Sequence, residues 1–165
     1  MKLIIKSSLE KRTNEDEFFI PDIELDDVVA ILMSICEVFE SSQIVTFIVS
    51  GFGQMKWPVD CRTDLATIIE QVPEILEKIR RGRYAFQLDF YEQGIERQLV
   101  FEEDNNLVKV TCFSRTHWAP SPSSIFMEKA EVSTMFECLY GNFLEFSKFL
   151  CTELANHTLL KEWEK

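Results

Sequence analysis

The sequence predicts a single α+β domain, residues 1–165, whose antiparallel sheet contains a three-stranded meander and is backed by about three main helices. Three observations lead there. Tyr84 to Phe101 alternates apolar and polar residues about a turn at Gly94, the pattern of a half-buried hairpin. Val28 to Phe39 and Met135 to Leu150 place apolar residues at helical spacing. The chain is 46% hydrophobic with 14 Phe among 165 residues, enough apolar surface for one continuous core at ordinary domain length.

Lys2 to Ser7 reads as a short strand and Ser8 to Glu17 as a polar loop. Phe18, Phe19 and Ile20 begin an ordered region, and Pro21 and Asp22 mark a turn. A helix follows from about Leu25 to Phe39, capped by Asp26 or a neighbouring acid. The β-branched run in Gln43 to Ser50 predicts a strand covered on both faces and central in the sheet. Gly51 and Gly53 flank Phe52 in a turn or bulge leading to a short return strand, Gln54 to Trp57. Thr63 is the expected cap of a helix over Asp64 to Arg81, in which Pro73 either kinks the helix or starts a second one. Gly82 ends it as a left-handed cap. The hairpin comes next. Glu102 to Asn106 forms the second turn of the meander and Leu107 to Phe113 its third strand. Ser114 to Ser124, with Pro120 and Pro122, is the expected long loop. A long core helix from Glu128 or Ser133 to Leu154 and a terminal turn docking through Leu160 and Trp163 complete the chain.

Charge is the main functional signal. The 28 acidic residues outnumber the 17 basic ones by 11, and ten of the acids lie between Glu10 and Glu40 against only Lys11 and Arg12. Such a field repels nucleic acid and anionic membrane and attracts basic proteins. The basic cluster Lys78, Arg80, Arg81 and Arg83 falls at a helix C-terminus, where it complements the dipole. No apolar run is long enough to cross a membrane, and five widely spaced cysteines, 36, 61, 112, 138 and 151, suit reduced core residues in the cytosol.

Chemical motifs are sparse. Cys112 with His117 and Cys151 with His157 have spacings compatible with zinc, but nothing clamps them as paired knuckles. Cys61 precedes a helix start, where a thiolate is favoured, with His117 as a conceivable base; no orienting acid or oxyanion loop accompanies them. The sequence therefore points away from an enzyme and implies no metal or cofactor. Gln87, Asp89, Glu96 and Gln98 occupy the polar face of the meander, either as solvated sheet or as part of a partner-binding face.

In being small, strongly acidic, rich in aromatics and free of catalytic motifs, the chain resembles the immunity proteins that neutralise bacterial polymorphic or contact-dependent toxins, many of them basic nucleases. That resemblance implies a non-catalytic cytoplasmic protein, monomer or homodimer, that occludes a basic toxin domain. Carboxylates would then stand in for phosphates around an aromatic anchor. The expected interface residues are Glu15, Asp16, Glu17 and Asp22 near the N-terminus, Glu102, Glu103 and Asp104 at the meander turn, and Trp118 as anchor. The chain is also similar to secretion chaperones of bacterial effectors, in which case Tyr91, Val100 and Leu107 would supply a client groove on a dimer.

Overall fold

The computed structural model describes residues 1–8 and 27–163. Glu15, Asp16, Glu17 and Asp22, the expected order at Phe18 to Ile20 and the turn at Pro21 lie outside them. In chain order the elements are β1 (Lys2–Ser7), α1 (Val28–Ser42), β2 (Val45–Ser50), α2 (Ala66–Arg80), β3 (Phe86–Phe90), β4 (Arg97–Asp104), β5 (Leu107–Ser114), β6 (Ser124–Glu128), α3 (Lys129–Leu150), α4 (Thr152–Ala155) and α5 (Thr158–Trp163). The α+β class, the antiparallel meander and the three main helices are as the sequence predicts.

The strands form two sheets. β1 and β2 pair antiparallel, with Ile4 opposite Ile48, and β3, β4, β5 and β6 lie side by side in chain order. β2 is thus not a central strand. Val45, Phe47 and Val49 point into the core, whereas Thr46 is exposed and Ile48 half-buried, so the β-branched run covers one face only. The return strand is reduced to a single bridge between Gly51 and Gln54, after which the Trp57 N–H bonds the Val49 carbonyl at 2.8 Å. Phe52 sits at φ 55° and Gly53 at φ 84°, a tight left-handed turn that buries the Phe52 ring.

Helix starts rest on neighbouring acids. Asp27 caps α1, its carboxylate accepting the Ala30 N–H at 2.7 Å. Asp60, not Thr63, serves α2, because a π-helical turn over Cys61–Leu65 precedes it and moves the first free N–H groups back. Its Oδ1 accepts the N–H of Thr63 at 2.8 Å and of Asp64 at 3.2 Å. α2 then runs through Pro73 as one helix. It ends in a Schellman motif: Gly82, at φ 72°, bonds the Ile79 carbonyl and Arg83 that of Lys78.

The expected loop after β5 closes at Ser123, since Ser124 to Glu128 forms an edge strand with Met127 opposite Val108 and facing the core. α3 stops at Leu150 rather than Leu154 because Cys151 leaves helical geometry at φ −147°. The terminal turn docks as expected, with Leu160 buried and Trp163 edge-on to Tyr140 at 6.3 Å. One apolar cluster runs from Leu3 through Phe39, Trp57, Phe101 and Phe143 to Leu160, joining both sheets to the helices.

Candidate functional site

The meander turn is less electronegative than its sequence. Glu103 accepts the Tyr84 N–H at 2.9 Å and the Lys129 ammonium at 3.0 Å, and these two bonds, the first foremost, hold its carboxyl below the usual range. Glu102 faces Lys109 at 3.9 Å, and Asp104 accepts the Asn105 amide at 2.9 Å. All three acids are exposed at the end of β4, yet two carry their own cation. Trp118 is only half-buried, but its ring is engaged within the chain. The Arg97 guanidinium lies 3.6 Å from its centroid and 4.3 Å from that of Trp57.

A different surface gathers acid and aromatic together. β3 is the edge strand of the larger sheet, and α2 runs beside it. The Gln71 side chain of α2 bridges them: its Nε2 donates to the Asp89 carbonyl and its Oε1 accepts the Asp89 N–H, each at 2.9 Å. This bracket places Glu70 and Glu74, one turn apart on α2, next to Asp89 and Tyr91 around a shallow polar cavity of about 520 Å³. Tyr91 is 51% exposed, and its hydroxyl donates to Glu70 at 3.3 Å. Burial first, then the Glu70 and Glu92 carboxylates, pushes the phenol's pKa up, so it remains a neutral donor at physiological pH. On its other side Tyr91 joins Val29, Met33 and Ala66 around an apolar depression of about 90 Å³, rimmed by Glu92.

Four carboxylates therefore surround one exposed ring. Arg115 pairs with Asp89 at 2.9 Å and Lys78 with Glu74 at 2.7 Å. Glu70 and Glu92 meet hydroxyl groups, from Tyr91 at 3.3 Å and Thr67 at 3.4 Å. Exposed Met33 and Val29 add apolar contact area beside them. An aromatic at the centre of a small apolar patch with a charged rim is the arrangement that concentrates binding energy in protein interfaces. Sequence reasoning placed Asp89 on the polar sheet face, but nothing in local spacing brings α2 to the edge of β3.

Of the five cysteines expected in the core, Cys36, Cys61, Cys112 and Cys151 are buried, but Cys138 is exposed on α3. Cys61 is buried, its thiol donates to the Val45 carbonyl at 3.8 Å, and burial raises its pKa to about 12, which removes the thiolate a nucleophile needs. His117 is exposed on the loop after β5. Among the described residues no three His, Cys, Asp or Glu side chains are grouped to hold a metal ion, and no helix is long and apolar enough to cross a membrane. A second, more apolar groove of about 470 Å³ lies between β1 and α3. Tyr91 and Val100 line separate depressions and Leu107 sits at the β4–β5 turn, so those three do not make one groove. No family model, curated protein or solved structure matches the chain.

Proposed function

We propose that the protein is a non-catalytic inhibitor of a basic protein, in the manner of a toxin-immunity protein, and that it binds through the surface around Tyr91. The observation that carries this reading is the half-exposed Tyr91 ring standing among Glu70, Glu74, Asp89 and Glu92 beside Met33. Carboxylates at the rim accelerate encounter with a basic surface, and the ring with its apolar neighbours slows dissociation.

The test is co-expression in a bacterial host with the product of a toxin-type reading frame adjacent to the gene, with growth as the readout. The chain restores growth; Tyr91→Ala and the double change Glu70→Lys, Glu74→Lys lose that protection; Glu102→Lys with Asp104→Lys retains it. Protection that survives the first two changes and fails with the third contradicts the assignment. One observation favours a second reading, the secretion chaperone: the groove between β1 and α3 is apolar and open. A stable dimer whose dissociation follows changes at Met135 in that groove would support it.

A further inference from the structure

We propose that the partner binds as an added strand on the outer edge of β3, placing basic side chains against Glu70, Glu74 and Asp89. The inference rests on the reading that this face takes a basic protein, and it specifies the shape of what arrives. In an antiparallel ladder the two backbone groups of a residue point to the same edge, and the direction alternates along the strand. Asp89 turns its N–H and its carbonyl to Gln71, away from β4, so Gln87, two residues earlier, turns the same pair of groups outward. At Asp89 the Gln71 amide supplies one donor and one acceptor at 2.9 Å each, which is what one residue of a neighbouring antiparallel strand would supply through its own N–H and C=O. The molecule thus carries a peptide mimic on one step of its own open edge.

Two separate depressions lie along that edge, the polar cavity beside Asp89 and another of about 520 Å³ beside Ala85 and Gln87, with Glu74 at the border of both. Glu70 and Glu74 line one wall and Asp89 the other, so alternate side chains of an inserted strand would meet carboxylates. Arg115, reaching Asp89 at 2.9 Å, already shows the kind of group that cavity accepts. Strand addition of this kind takes affinity from main-chain hydrogen bonds and specificity from alternate side chains. The occupant is an extended segment with Lys or Arg at every second position.

The experiment uses three synthetic probes on the ¹⁵N-labelled full chain: an extended peptide alternating Lys with Val or Thr, the same peptide N-methylated at alternate residues, and an Ala/Lys peptide of equal charge that favours helix. The extended peptide is expected to protect the Gln87 amide from exchange, while the N-methylated form binds at least tenfold more weakly. Gln71→Ala, which removes the competing amide, tightens the extended peptide by about fivefold, the scale of one or two hydrogen bonds. Gln87→Pro removes an outward N–H without touching the ladder to β4, so it abolishes binding while the circular dichroism spectrum holds. Equal binding of all three peptides, with shifts at Tyr91 and Glu70 but no protection of Gln87, overturns strand addition and leaves the acidic-face reading intact. Absence of shifts with every peptide at millimolar concentration overturns both.

Discussion

At the scale of single residues, the charged side chains buried among the described residues are Asp64 and Arg97. Asp64 is buried in the π-helical turn before α2; its Oδ2 accepts the Asp60 N–H at 2.9 Å, but Oδ1 has no protein partner. Burial, with Asp60 and Glu92 nearby, raises its pKa to about 6. The folded chain therefore holds this proton where the unfolded chain has released it, so the associated stability is present below about pH 4 and lost as pH rises through about 6. Wild type should lose roughly 2 to 3 kcal/mol between pH 4 and 7.5 that Asp64→Asn does not lose, as read by urea unfolding. Parallel pH profiles for the two proteins would remove Asp64 as the source. Arg97 is 3% exposed and its Nε and Nη1 have no protein acceptor; the flat guanidinium lies in the corner formed by the Trp57 and Trp118 rings, whose planes are inclined at 62°. A lysine ammonium cannot stack in that corner, so Arg97→Lys should cost about 2 kcal/mol or more at neutral pH. A loss below about 0.5 kcal/mol would show that the indoles do not stabilise the cation. The sequence did carry the signal, because Arg97 falls in register with Ile95, Leu99 and Phe101, a cation on the core face of a strand.

Among the elements, legibility followed locality. The meander could be read from alternation because each strand neighbours the next in the chain, and Gly82 could be read as a cap because its motif lies within six residues. β6 escaped because five residues after a proline-containing loop carry too few alternations, and the split into two sheets escaped because pairing partners of β2 are not encoded in β2 itself. The same holds for the Gln71 bracket, which joins residues 18 apart through one side chain. The turn after β2 makes a similarly non-local contact. The Ser121 N–H bonds the Phe52 carbonyl at 3.0 Å, and a Cβ on Gly53 would lie 2.3 Å from the Ser121 oxygen. Gly53→Ala should therefore destabilise by about 2 kcal/mol or more, through both the clash and the positive φ, and should shift the amide resonances of the loop after β5. An unchanged unfolding midpoint would mean that the loop yields freely.

For the whole molecule, the net charge of −11 favours basic over acidic surfaces but fixes no place on the fold where one would meet it. Folding redistributes that charge: Glu102 and Glu103 pair with lysines at the meander turn, while Glu70, Glu74, Asp89 and Glu92, whose extremes lie 22 residues apart in the chain, converge on Tyr91, where Glu74 and Asp89 also pair with Lys78 and Arg115 and Glu70 and Glu92 meet only hydroxyls. A fold-level convergence of this kind is invisible to composition. Hydrogen exchange on the chain bound to a basic protein of the proposed kind tests it most directly, read residue by residue at two salt concentrations. The account predicts protection at Glu70 to Glu74 and Asp89 to Glu92, association that slows as salt rises, and an unchanged β4–β5 turn. Protection confined to Glu102 to Asn106, or to the groove between β1 and α3, would contradict it.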